Sequence, residues 1–239
     1  MSKLSLATFI AAAVTVLTPA QAQQSKAWPD CANGEKPAAD RKISACTAVI
    51  EAGRETNHNL AVAFNNRGAV YADRKDYPRA IADYDAAIRL NPKYATAFDN
   101  RCEARAKSGQ LSEALADCNI SMRIDPDDED TLKNRAFTYL RLGQLDKAFT
   151  DYSSALAINS QNAEALYGRG VIKLKKGDAT GGNRDIVAAK VLEDGIAEEF
   201  ANYGVNPEGP PTPNVRSSRA ECLGKAPFAA PMVGHCFRY

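Results

Sequence analysis

The sequence predicts an all-α solenoid, a superhelical stack of antiparallel helix pairs, on three observations. First, residues 61–94, 95–128, 129–162 and 163–196 align without gaps, a period of 34 residues. Second, equivalent columns carry the same physical type. Column 4 is large and apolar (Phe64, Phe98, Leu132, Leu166), and column 8 is small (Gly68, Cys102, Ala136, Gly170). Columns 20 and 27 are small as well, with Ala80, Ala114, Ala148 and Gly182 at one and Ala87, Ser121, Ala155 and Ala189 at the other. Third, turn residues recur in phase: Gly109, Gly143 and Gly177 within units, Asn91-Pro92 and Asp125-Pro126 between them. A fixed period of this length marks stacked two-helix units, none of which can bury its apolar face alone.

At these columns the chain resembles the tetratricopeptide repeat family. That family's pattern adds an aromatic at column 24, met by Tyr84 and Tyr152, and Pro at column 32, met by Pro92 and Pro126. Ser160 replaces the proline in the third unit, and the fourth is degenerate, with Gly181-Gly182 in its second helix and Asp194 at column 32. The resemblance implies a right-handed superhelical solenoid whose concave surface is lined by the first helix of each unit. It also implies that the array binds other chains and does not perform chemistry.

Taken in order, residues 1–22 read as a secretory signal peptide. Lys3 supplies a positive start, Leu4 to Leu17 carry no charge, and Ala20-Gln21-Ala22 is a small-x-small cleavage site. A span of ~14 apolar residues is too short for a membrane anchor, which takes about 20. The mature chain is expected to begin at Gln23, exported to the periplasm or secreted, with no membrane insertion. Without Lys3, 29 basic residues face 29 acidic ones. With no basic run either, the chain lacks the positive footprint of a nucleic-acid binder.

Residues 23–60 form an expected N-terminal cap. Residues 23–38 read as irregular, and Asp40 is a candidate N-cap for a helix from Arg41 to Ala52, with Ile43, Cys46, Val49 and Ile50 on one face. In the 34-residue frame this is the second helix of a partial unit whose first helix is missing. The segment Trp28-Pro29-Asp30-Cys31 resembles the start of exported bacterial repeat proteins.

Four helix pairs follow, 61–94, 95–128, 129–162 and the degenerate 163–196. In the first, column 15 is Lys75, and Pro78 is expected to punctuate the hairpin in place of glycine. The pattern Ile196, Phe200, Tyr203 predicts a capping helix over 197–204 that covers the apolar side of the fourth unit. Residues 205–213 read as a proline-rich linker, and 214–239 as an irregular tail.

Six cysteines fall into three local pairs: Cys31 with Cys46, Cys102 with Cys118, Cys222 with Cys236. In an exported chain such a set favours disulfides. Cys102 and Cys118 occupy columns 8 and 24, which face each other across a helix hairpin, so a bond there fits; two buried free thiols are the alternative. A Cys31–Cys46 bond would staple the cap, and Cys222–Cys236 the tail. No CxxC or CxxCH motif supports redox catalysis or haem attachment. His58 and His235 have no metal-ligand spacing, so no cofactor or metal is expected.

Two columns carry periodic polar residues. Arg67, Arg101, Arg135 and Arg169 stand at column 7, and Asp83, Asp117, Asp151 and Asp185 at column 23. Planar guanidinium suits partly buried bidentate pairing, so these predict a structural ladder, within each hairpin or between successive units. Column 6 holds Asn66, Asn100 and Asn134, then Gly168. Asn can pair with both groups of a peptide backbone. The row therefore either holds an extended peptide or is tolerated on a wet face.

The remaining concave columns divide the groove. The first two units give Asn65, Asp73, Asp99, Glu103 and Lys107; the last two give Phe137, Leu140, Tyr167, Val171 and Leu174 with Lys133, Arg141 and Lys175. An apolar half of this kind is a partner site or is filled by the chain's own tail. The two-carboxylate clamp of chaperone-binding family members is matched at one of five positions only, Asn100, so an acidic C-terminal peptide held that way is not expected.

The reading is a non-enzymatic periplasmic adaptor that binds a peptide or partner protein through Asn66, Asn100, Asn134, Phe137, Tyr167 and Val171. A structural subunit of an envelope complex using the convex face is the alternative. An enzyme with its site in the tail has no nucleophile elbow, phosphate loop or HExxH pair to support it.

Overall fold

The computed structural model of the protein describes residues 27–32 and 38–207. The expected leader 1–22, most of the linker, the tail with Cys222 and Cys236, and His235 lie outside the described residues. Residues 27–32 are helical (α1). They are followed by α2 (Ala39–Ala52), α3 (Asn57–Asp73), α4 (Tyr77–Leu90), α5 (Ala95–Lys107) and α6 (Leu111–Ile124). The rest are α7 (Glu129–Arg141), α8 (Leu145–Ile158), α9 (Ala163–Lys175), α10 (Ala179–Leu192) and α11 (Ile196–Asn202). No strand occurs among the described residues.

Helices α3–α4, α5–α6, α7–α8 and α9–α10 pack as hairpins, and each second helix packs on the first helix of the next pair. The first helices α3, α5, α7 and α9 also pack side by side, which makes them one continuous inner wall. The small columns explain the close approach. A Cβ on Gly68 would come within 2.8 Å of the Tyr84 ring, so the tyrosine fills the space that the missing side chain leaves. In the second hairpin this pair of columns is instead a disulfide, Cys102–Cys118, with both residues fully buried.

Helix starts follow local chemistry. Thr56, Asp76, Asp128, Asn162 and Asp178 each accept a hydrogen bond from a backbone N–H three residues on. All four hairpins turn through one pair of backbone bonds. Lys75 N–H donates to the Ala72 carbonyl and Asp76 N–H to that of Tyr71; Gly109–Gln110, Gly143–Gln144 and Gly177–Asp178 repeat this. The turn requires a left-handed residue. The three glycines supply it, and Lys75 adopts φ 59° itself, at a cost of roughly 1 kcal/mol for an L side chain. Pro78 stands at the start of α4, where it was expected, and the left-handed turn residue before it is Lys75.

The N-terminal cap differs from expectation in three respects. Residues 27–32 are helical where an irregular segment was expected. The start of α2 is Ala38, with no side-chain cap. Asp40, expected as that cap, lies inside the first turn and pairs with Arg74 at 2.7 Å. Third, the first helix of the partial unit is truncated, not missing. Cys31 stands 34 residues before Asn65, and α1 lies in register with α3. The Cys31–Cys46 disulfide and the two-pronged Arg41–Asp30 pair, at 2.9 and 3.1 Å, clip α1 to α2.

The expected capping helix runs Ile196–Asn202, and Gly204 with φ 77° follows it. It packs on α9 and α10 of the fourth unit, as expected, and it also reaches inward. Phe200 falls at column 4 of what would be a fifth unit, yet α11 turns inward onto the inner wall. The outer face of α10 is consequently left bare, with Val187, Val191 and Leu192 exposed.

Candidate functional site

The inner wall is built on two polar ladders. In the first, Arg67 reaches Asp83 through Nε (2.8 Å) and Nη2 (2.7 Å), and Arg101 reaches Asp117 at 2.8 and 2.6 Å. Arg135–Asp151 (2.7 and 2.9 Å) and Arg169–Asp185 (2.7 and 3.0 Å) continue it. The third guanidinium nitrogen reaches back to the preceding unit: Arg67 to Thr47, Arg101 to Asp85, Arg135 to Asn119. Arg67, Arg101 and Arg135 therefore each close their own hairpin and tie it to the one before, and Arg169 closes its own. Asp117 also accepts from Arg105 at 2.6 Å, and Asp185 from Lys173 at 2.9 Å.

The second ladder is the asparagine row, and it joins units. Asn66 Nδ2 donates to the Cys31 and Ala32 carbonyls, both at 3.1 Å. Asn100 donates to Asn65 Oδ1 at 2.9 Å, and Asn134 to Asp99 Oδ1 at 3.0 Å. In each case the acceptor at column 5 lies 35 residues back. Two bonds from the Asn66 amide, and one each from those of Asn100 and Asn134, are thus made within the array. The row stops at Gly168 because the Tyr152 ring occupies the place of a side chain there.

Above these ladders sits a cluster of aromatic and lysine side chains, and α11 lies across it. Phe200 packs edge-on against Phe137 (ring centroids 5.6 Å apart) and tilted against Tyr167 (4.8 Å). Tyr203 meets Phe137 edge-on at 5.8 Å, and its hydroxyl lies 2.8 Å from that of Tyr77 in the first unit. Phe137, Tyr167 and Val171, expected to line a groove either open to a partner or filled by the chain's own tail, are buried in consequence. The groove is filled by the chain itself, by α11; the tail 214–239, also considered for this place, lies outside the described residues.

Charge organises the same surface. Lys107 bonds Glu103 at 2.8 Å and Glu199 of α11 at 3.1 Å, and stands 5.7 Å from the Tyr203 ring. Lys133 bonds Glu164 at 2.7 Å and Asp130 at 3.2 Å. Burial works against both ammonium charges, but the carboxylates outweigh it and raise both pKa values above the ordinary lysine range, so both stay cationic. Tyr77 is raised by burial and by its bond to Tyr203. Asp99 is the exception among the acids. Burial pushes it up to about 7, the Asn134 hydrogen bond opposes this, and Asp128, Glu103 and Asp130 add repulsion. Beneath Phe200, the Tyr152 hydroxyl is fully buried and meets no hydrogen-bond partner.

Two openings flank α11. One, of about 210 Å³, is lined by Asp73, Lys75, Glu103, Lys107, Glu199 and the Tyr77–Tyr203 pair. The other, of about 200 Å³, is lined by Leu140, Arg141, Lys175, Tyr203 and Val205. Sequence reasoning named Asn66, Asn100, Asn134, Phe137, Tyr167 and Val171. The structure brings Asn134, Phe137 and Tyr167 together with Lys107, Tyr152, Glu199, Phe200 and Tyr203, while Asn66 and Asn100 pair further along the wall. The return of the 34-residue period at Phe200 was the available signal for α11. Among the described residues no group of His, Cys, Asp and Glu could hold a metal ion, and no helix is long and apolar enough to cross a membrane.

An inner wall of paired helices, in register at 34 residues and lined by alternating ladders, defines a helical-repeat scaffold. Residues 61–94 match the family profile described as Tetratricopeptide repeat, and residues 138–177 one described as TPR repeat. Over these residues the chain carries tetratricopeptide repeats. Among solved structures it is similar to MamA 41-end from Desulfovibrio magneticus RS-1, at 16% identity and TM-score 0.60 over 75% of this chain and 98% of that one. A tetratricopeptide repeat protein from Parabacteroides merdae is similar at 18% identity and TM-score 0.58, covering 79% of this chain and 75% of that one. YrrB, described as a TPR protein with an unusual peptide-binding site, is similar at 18% identity and TM-score 0.50, covering 65% and 78%. At these identities the likeness is one of fold. A search of curated protein sequences gives no match.

Proposed function

We propose that the protein is a non-enzymatic adaptor of the periplasm that takes a segment of a partner protein into its concave face. The observation that carries this reading is the seating of α11. The inner wall already holds a short amphipathic segment through Phe137, Tyr167 and Lys107, so it has the shape and chemistry to hold one. YrrB, similar in fold, is described as having a peptide-binding site, which is consistent with this use of the scaffold. The leader-like residues 1–22 and the two disulfides of the described residues support an exported, oxidising location.

The asparagine row contributes by fixing the spacing of the units and so the curvature of the wall, and the aromatic–lysine cluster makes the contacts. Photo-crosslinking in cells tests the assignment. A photoreactive residue at Asp73 or Lys175, on the rims of the groove, should trap a partner, whereas one at Ser154 or Arg184, on exposed positions of the second helices, should not. Crosslinks confined to the second set would transfer the function to the convex face.

A further inference from the structure

Beside the fully buried Ile196 at its start, helix α11 and the residue after it present Glu199, Phe200 and Tyr203 to the wall, each met by a matching group. Glu199 meets Lys107, Phe200 meets Phe137 and Tyr167, and Tyr203 meets Tyr77, Phe137 and Lys107. The fit is incomplete at one point. The buried Tyr152 hydroxyl faces the small space shared by Phe200, Lys133 and Asn134, and the phenylalanine ring above it has no polar atom to offer. A buried hydroxyl without a partner is costly, and the occupant that leaves it so is not the best one the wall can take.

We infer that the wall is a receptor for an acidic-aromatic helical segment: a carboxylate, an aromatic residue directly after it, and a second aromatic three positions on. Helix α11 is the chain's own, weaker occupant of that receptor. This rests on the reading of the concave face as the binding surface and adds the chemistry of the ligand. The partner segment competes with α11, and it gains over α11 where its first aromatic carries a hydroxyl that reaches Tyr152. Two features make α11 displaceable. It has seven residues, and the Lys107–Glu199 bridge and the Tyr77–Tyr203 hydrogen bond that tie it to the first two units are single polar contacts at its end. Once released, it has a second place to go. Phe200 keeps the 34-residue register with Leu166, and the bare Val187, Val191 and Leu192 face of α10 is where a helix in that register would stack.

The probe is a fluorescein-labelled peptide of residues 194–206, titrated by anisotropy into the full chain and into the full-chain double variant Phe200→Ser, Tyr203→Ser. The variant should bind it at least tenfold more tightly than the intact chain, and Lys107→Glu in the variant should abolish binding. A peptide with Tyr in place of Phe200 should bind about fivefold more tightly still. Circular dichroism and urea unfolding establish that the variant is folded. Should it not be, a full chain nicked by a protease at a site inserted between Glu193 and Gly195 replaces it. A folded, opened array that ignores both peptides overturns the inference, as does an array that unfolds whenever α11 is released. A random-peptide selection on the same opened array then separates the two claims. Ligands that map to Phe137 and Tyr167 keep the concave face as the binding surface, and ligands that map elsewhere overturn that reading as well.

Discussion

The hydroxyl of Tyr203 lies 2.8 Å from that of Tyr77, so a residue at the end of the last described helix touches the hairpin of the first full unit, 126 positions earlier. A solenoid ordinarily puts only neighbouring units in contact. This contact spans the whole array along its inner side.

Removing it should loosen α11 and little else. Tyr77→Phe deletes one hydrogen bond with a net worth of about 1 kcal/mol, which translates into cleavage after Glu198 and Glu199 by a glutamate-specific protease about fivefold faster. Global unfolding in urea should be unchanged. Equal cleavage rates would show that the bond does not hold the helix.

The arginine–aspartate ladder predicts the largest single-residue loss. Asp117 is only 2% exposed and accepts from both Arg101 and Arg105. Asp117→Ala strands the Arg105 guanidinium, leaves Arg101 with Asp85 alone, and should cost about 3–5 kcal/mol, read as a lower urea midpoint. Mutation of the exposed Asp146, which pairs with Lys176 across units, should cost under about 1 kcal/mol.

Asp99 predicts a pH dependence with a definite sign. Its pKa is about 7 in the fold, raised by burial, against about 3.9 in an unfolded chain. The folded state therefore binds more protons across this window, and stability falls as pH rises from about 4 to about 7. Asp99→Asn keeps an acceptor for Asn134 without the charge. It should stabilise the protein at pH 8, by up to about 4 kcal/mol, and change little at pH 4. A variant equally destabilised at both pH values would contradict the assignment.

The Cys102–Cys118 disulfide closes a loop of 16 residues. In the chain-entropy model such a loop contributes about 3 kcal/mol, so the double alanine variant should unfold at correspondingly lower urea. Peptide mapping without reductant should recover the two cysteines as one linked pair.

Much of this was legible in the sequence because the period carries it. Columns 7 and 23 gave the ladder, and columns 8 and 24 brought Cys102 to Cys118, since both depend on contacts within one hairpin. The asparagine row was harder. Asn100 finds Asn65 across 35 residues and two helices, and that pairing follows from the tilt between units, which no single repeat encodes. Lys75 stands at the turn column, yet residue type assigns the turn to Pro78, because lysine rarely adopts positive φ; the backbone bonds from Lys75 and Asp76 hold it there. Asp40 looked like a helix cap by residue type, but Ala38 precedes the first turn and Arg74 takes the carboxylate. The inward turn of α11 was not legible either. Phe200 keeps the register of a fifth unit, and the choice between stacking on α10 and entering the groove rests on aromatic contacts with Phe137, two units away.

Hydrogen exchange on the intact chain tests most directly whether α11 is a displaceable occupant of the inner wall. The amides of Glu198–Asn202 should exchange through a local opening at least a hundredfold more populated than global unfolding, while α7 and α9 stay protected. Equal protection of α11 and α9, lost together in one global transition, would make α11 an integral part of the array and contradict the account.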